Sequence, residues 1–209
     1  MRTIAGVTVP PGVRHVIGVD EAGRGPLAGP VAVAAVAFPC TCAFPRVFRD
    51  SKRLTPVRRA EVFAALKASA AAGEARWAVS LTGPARIDAA GIVGAVHEAL
   101  ARSLVRLALP PEECLVLLDG GLAASPAYLH QCALIKGDER AYPIALASIV
   151  AKETRDACMR RLARRYPAYG FEEHKGYGTR AHYAALYRHG PTPVHRKSFL
   201  RSPDIIFGK

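Results

Sequence analysis

The chain reads as an α/β fold: a central mixed β-sheet covered by helices, with a mostly helical C-terminal section. Three observations lead there. Apolar runs of strand length cluster early, at residues 15–19 and 31–38. Later runs, 114–118 among them, alternate with long stretches of helical periodicity. Beyond about residue 140 the pattern is almost wholly helical. Strands that first cluster and then alternate with helices give a sheet packed between helices. At 209 residues, half of them apolar, the chain can bury a full core and fits one domain. That domain is expected over residues 14–209, with 1–13 as an N-terminal extension.

Strands are predicted at 13–19, 31–38 and 43–49. A helix at 55–72 follows, opened by Thr55-Pro56, an N-cap residue before a proline, and closed by Gly73. Next come a strand at 75–82 and a helix at 84–109. Residues 114–119 begin as an unbroken apolar run, the pattern of a central strand buried on both faces. A strand at 131–136 and helices at 143–165 and 179–189 complete the series. No internal repeat, low-complexity tract or linker interrupts it.

The net charge of +12 favours a polyanionic partner, either nucleic acid or an anionic membrane surface. The longest apolar stretch, 31–38, is far short of the ~20 residues that span a bilayer. Residues 1–15 hold no apolar signal segment. A cytoplasmic protein without membrane attachment is expected. Five cysteines, an odd number without an export signal, are expected as reduced thiols. Cys40-Thr41-Cys42 lacks the spacing of a zinc knuckle.

The chemistry concentrates in Asp20-Glu21-Ala22-Gly23-Arg24-Gly25. Two carboxylates at the end of a buried strand are costly unless something neutralises them, and a divalent cation is the simplest partner. A solvated strand-end turn explains a bare Asp-Glu pair equally well. The Gly-Arg-Gly that follows points instead to phosphate, because glycines expose backbone N–H groups and Arg offers a fork that fits phosphate oxygens. Asp119 ends its apolar strand as Asp20 does, so two strands deliver acids to one sheet edge. Asp138, beside Lys136, taken alone is a surface turn.

Residues 19–31, Val-Asp-Glu-Ala-Gly-Arg-Gly-Pro-Leu-Ala-Gly-Pro-Val, resemble the signature of bacterial ribonuclease HII, the type 2 ribonucleases H. Further blocks agree in order: Asp50-Ser51-Lys52, Leu118-Asp119-Gly120, Lys136-Gly137-Asp138, residues 147–156, His174-Lys175-Gly176-Tyr177 and residues 195–199. The resemblance implies a ribonuclease H-like three-layer catalytic domain in which Asp20, Glu21, Asp119 and Asp138 hold two divalent cations, Mn²⁺ or Mg²⁺, with Asp20 bridging. Asp156 is a rival fourth acid, although pairing with Arg160 would explain it. The resemblance also implies that Gly23, Arg24, Gly25 and Tyr177 read the 2′-hydroxyl at an RNA-to-DNA junction, and that Lys52, Lys152, His195, Arg196 and Lys197 contact phosphates.

The activity so implied is metal-dependent hydrolysis of the RNA strand of RNA–DNA hybrids. Nicking 5′ of single ribonucleotides in duplex DNA goes with it, leaving 3′-hydroxyl and 5′-phosphate ends, by a monomer acting in DNA repair and replication. Two alternatives stay open: a resolvase-type DNA endonuclease and a hybrid-binding module without turnover. The basic cluster Arg160, Arg161, Arg164 and Arg165 is either a solvated helix face or a source of non-specific DNA affinity. Two departures from the family pattern stand near the acids. Gly121-Leu122 suggests a looser loop after Asp119, and Tyr142-Pro143 stands where small residues are expected, before the helix that follows Asp138.

Overall fold

A computed structural model describes residues 2–44 and 54–200. Lys52, and the strand expected at 43–49 beyond Phe44, lie outside the described residues; Ala43 and Phe44 are not in a strand.

A small hairpin, β1 (Thr3–Ile4) and β2 (Val7–Thr8), comes first, and its Ile4 is buried against the core. The main sheet holds β3 (His15–Ala22), β4 (Val31–Pro39), β5 (Arg76–Thr82), β6 (Cys114–Asp119) and β7 (His130–Leu134). Their spatial order is β5-β4-β3-β6-β7, antiparallel from β5 to β3 and parallel from β3 to β7. The helices are α1 (Pro56–Ala71), α2 (Pro84–Arg106), α3 (Gly137–Arg140), α4 (Tyr142–Arg165), α5 (Phe171–His174) and α6 (Arg180–His189). Thr55 caps α1 as its sequence predicts, accepting from the Arg58 N–H. The helix predicted at 84–109 ends early and is broken at Gly91, where φ is 72°. Among the described residues no helix is long and apolar enough to cross a membrane.

Strand periodicity divides the core in two. Val31, Val33, Ala35 and Ala37 face one way, with Ile17, Val19, Val116 and Leu118, against α2. Ala32, Ala34 and Val36 face the other way, with Val16, Leu115 and Leu117, against α1 and α4. By the same alternation Asp20 and Asp119 turn to the α4 face. Gly18 lies on that face two residues before Asp20, and a Cβ there would overlap the backbone of Pro143 and Ile144. The first turn of α4 therefore rests directly on β3. Pro143 suits that turn, where its missing N–H costs nothing.

A third cluster joins Leu27 and Ala28 to Met159, Tyr169, Phe171, Leu186 and Leu200. The rings of His174, His182 and His195 pack around Phe171 within it. Burial, and secondarily His182, pushes His195 down to about 4, and burial also lowers His182.

Two expectations follow. Gly18→Ala must displace α4 and should lower stability by about 2 kcal/mol or more in urea unfolding; an unchanged midpoint would deny the backbone contact. Unfolded histidine takes its proton near 6.5, whereas folded His195 does so only near 4. Its stabilising contribution is therefore complete above pH 6.5 and is lost as pH falls through about 4. The slope is on the order of 1.4 kcal/mol per pH unit, and His195→Gln should remove it from unfolding curves taken across that window.

Candidate active site

Asp20 and Asp119 stand side by side toward the C-terminal ends of neighbouring parallel strands, one step beyond the last residues that β3 and β6 pair with each other, Val19 and Leu118. Burial pushes the Asp20 carboxyl up to about 8; the Ser148 hydroxyl of α4 opposes this, and the Glu21 and Asp119 carboxylates add to it. The Glu21 N–H donates to Asp20 Oδ1 at 2.7 Å. Glu21 is itself raised, by burial first, with Arg24 at 3.2 Å opposing and Asp119 adding. From β7 the chain turns through Lys136, at φ 53°, into α3. There the Gly137 N–H donates to Asp119 Oδ1 at 2.7 Å. This bond sets the next residue, the fully buried Asp138, beside the end of β6.

Asp20, Glu21 and Asp119 thus act on one another at one edge of the sheet, and Asp138 follows the residue that bonds Asp119. Among the described residues, no three His, Cys, Asp or Glu side chains stand together closely enough to hold a metal ion. The donor set still suits a hard cation, since it is all oxygen, and a bound cation would oppose the rise that burial, with Glu21 and Asp119, imposes on Asp20.

Beside the acids opens a cleft of about 300 Å³ between Glu21 to Gly23 on one side, Ser148, Lys152 and Arg59 on another, and Tyr177. Two buried arginines shape its rim. Arg155 donates from Nε to the Pro30 carbonyl at 2.9 Å and from Nη2 to the Lys175 carbonyl at 2.9 Å. Arg196 donates to the carbonyls of Gly23, Arg24 and Gly29 at 2.7, 2.8 and 3.0 Å. Burial lowers both, Arg196 to about 10, so both stay charged at neutral pH. Gly23, at φ 94°, has no room for a side chain, because a Cβ would overlap the Arg155 guanidinium. Tyr177 is 46% exposed, and its ring lies beside Gly25 and 5.8 Å from the Arg155 guanidinium carbon.

The residues expected to contact phosphate separate. Lys152 lines the cleft and Lys197 is exposed, while Lys52 lies outside the described residues. His195 and Arg196 must be corrected. At 2% and 0% exposure they face the interior. Arg196 has spent its guanidinium on three carbonyls, and His195 is enclosed by Tyr169, Phe171 and His182. Asp156 is paired, but with Lys152 at 2.9 Å rather than with Arg160. Leu122 is buried in the core and anchors the loop after Asp119 there. The sequence reading gave no role to Ser148, although Ser148, Lys152 and Asp156 fall at successive i, i+4 positions, a spacing that signals one helix face. Arg59 and Arg155 also had no assigned role, and no local pattern marks them.

The ribonuclease HII family profile matches residues 17–202. The chain is 47% identical over 195 residues to the ribonuclease HII of Geobacillus kaustophilus (strain HTA426), an alignment covering 93% of this chain and 72% of that protein. Two solved structures share the fold. The ribonuclease HII of Archaeoglobus fulgidus, in its complex with PCNA, has a TM-score of 0.67 at 23% identity, covering 87% of this chain and 93% of that one. Bst-RNase HIII in complex with Mn²⁺ has a TM-score of 0.63 at 20% identity, covering 88% and 67%. The profile enters β3 at Ile17, spans the other strands of the main sheet and both acid-bearing strand ends, and the chain belongs to the ribonuclease HII family.

Proposed function

We propose that the chain is a divalent-cation-dependent endoribonuclease that cuts the RNA strand of RNA–DNA hybrids and nicks 5′ of single ribonucleotides in duplex DNA, leaving 3′-hydroxyl and 5′-phosphate ends. Removal of misincorporated ribonucleotides would be its role in repair, with primer RNA as a second substrate. The observation that carries this reading is the joint delivery of Asp20 and Asp119 to one face, beside a Gly-Arg-Gly loop and a half-exposed tyrosine.

Asp20, Glu21, Asp119 and Asp138 would hold two cations, Mn²⁺ or Mg²⁺. When bound, the pair supplies activation of water and neutralisation of charge on the leaving oxygen. The remaining work belongs to the chain's own groups. Ser148 orients Asp20 through its hydroxyl, and the Gly137 N–H orients Asp119. Arg24 pairs with Glu21 through one nitrogen and is half-exposed, so the rest of its guanidinium fork would be open to a phosphate. The backbone of Gly23 to Gly25, held open by Arg196, offers hydrogen bonds to a 2′-hydroxyl. The Tyr177 ring packs on the next sugar and favours deoxyribose there. Lys152, Lys197 and Lys52 fix the register of the duplex through phosphates.

The deciding assay is cleavage of a labelled DNA duplex containing one ribonucleotide, with Mn²⁺, with Mg²⁺ and with chelator. One metal-dependent nick 5′ of the ribonucleotide is expected, absent from an all-DNA duplex and abolished in Asp119→Asn. Cutting of the all-DNA duplex would replace this reading with the resolvase-type one; binding without cutting would leave a hybrid-binding module. Ser148→Ala should raise the metal concentration for half-maximal rate about tenfold, since it removes the donor that orients Asp20. An unchanged metal dependence would remove Ser148 from the site.

A further inference from the structure

The aromatic cluster beneath Tyr177 contains a hydrogen-bonded series whose proton positions are determined by its ends. The Thr192 N–H donates to His195 Nδ1 at 2.9 Å, with the Thr192 hydroxyl also 2.9 Å from it; the N–H can only donate, so that nitrogen is an acceptor, and neutral His195 carries its proton on Nε2. His182 Nδ1 lies 2.9 Å from the Tyr177 carbonyl, which can only accept, so His182 carries its proton on Nδ1. Between them, the two Nε2 atoms are 3.0 Å apart, with His195 donating and His182 accepting. The two imidazoles are therefore opposite tautomers, and each bond holds one proton. Adding a proton to either ring would set two N–H groups against each other or displace a bond at an end.

The series ends on the main chain of Tyr177. That residue's N–H donates to the His174 carbonyl at 2.9 Å, and its carbonyl accepts from Thr179 N–H at 2.8 Å as well as from His182. His174 stacks on His182 with centroids 4.6 Å apart, and its Nδ1 accepts from the Gly176 N–H at 3.2 Å. The exposed Tyr177 ring thus takes its position from a backbone that histidines grip from beneath. Neither His182 nor His195 lines the cleft, and both are buried.

We infer that His182 and His195 are positioning residues for Tyr177, and that this paired-imidazole series sets how sharply the enzyme favours an RNA-to-DNA junction. The inference rests on Tyr177 reading that junction, as proposed above. It predicts a change in substrate preference rather than a loss of cleavage chemistry.

The test uses the full chain and four proteins: wild type, Tyr177→Ala, His182→Phe and His182→Asn. Phenylalanine keeps the ring packing and removes both nitrogens; asparagine keeps an amide donor where Nδ1 stands. For His182→Phe, kcat/KM on a duplex with a single ribonucleotide should fall about ten- to a hundredfold relative to kcat/KM within a long hybrid. His182→Asn should recover most of that ratio. In the wild type at neutral pH, imidazole nitrogen NMR should show the Nδ1–H form for His182 and the Nε2–H form for His195. A wild-type ratio in His182→Phe, or one tautomer shared by both rings, overturns the inference. Should His182→Phe not fold, the tautomer measurement still decides. If Tyr177→Ala itself keeps the wild-type ratio, the junction reading of Tyr177 fails and takes the inference with it; if Tyr177→Ala loses the ratio and His182→Phe keeps it, only the inference fails.

Discussion

Two guanidinium groups bonded to backbone carbonyls hold this molecule's working face together. Arg155 and Arg196 join the loop after β3 to α4, to the turn at Lys175 and to the segment near residue 196. Burying a charge costs several kcal/mol, and here charge-assisted bonds to carbonyls that would otherwise be orphaned offset it. Lysine would not substitute, because only the planar fork reaches several carbonyls from one stem.

That arrangement also determines where the unbalanced charge lies. Carboxylates and two buried cations lie near one another here, and burial, with Glu21 and Asp119, raises Asp20. The buried guanidinium groups of Arg155 and Arg196 are aimed at carbonyls, and the arginine that pairs with an acid here is the half-exposed Arg24, on Glu21. Lys152 and Arg59 line the cleft, and Arg24 pairs with Glu21 on its strand side.

The α/β layering was legible because β4 is apolar throughout and β6 is apolar up to its last residue, Asp119, the pattern of strands covered on both faces. Asp20 and Asp119 were legible as polar residues ending such runs. His195 and Arg196 were not. In His-Arg-Lys-Ser a buried arginine and an exposed lysine look alike, and partners that are backbone carbonyls leave no complementary residue in the sequence. The pairing of Asp156 escaped for a smaller reason: cations stand at both i−4 and i+4, Lys152 and Arg160, and only the fold selects between them. Gly18 carried no signal of its own, since the helix it admits comes from more than a hundred residues away.

The loop at residues 27–29 pairs with the Val194 to Arg196 segment, and Arg196 reaches Gly23 across 173 residues of sequence. During synthesis, strands β3 and β4 can pair as soon as they emerge, and the sheet can grow with the chain. The Gly-Arg-Gly rim cannot close until Arg196 has left the ribosome. Until then the nascent chain is an acid-tipped sheet whose Gly-Arg-Gly rim stands open.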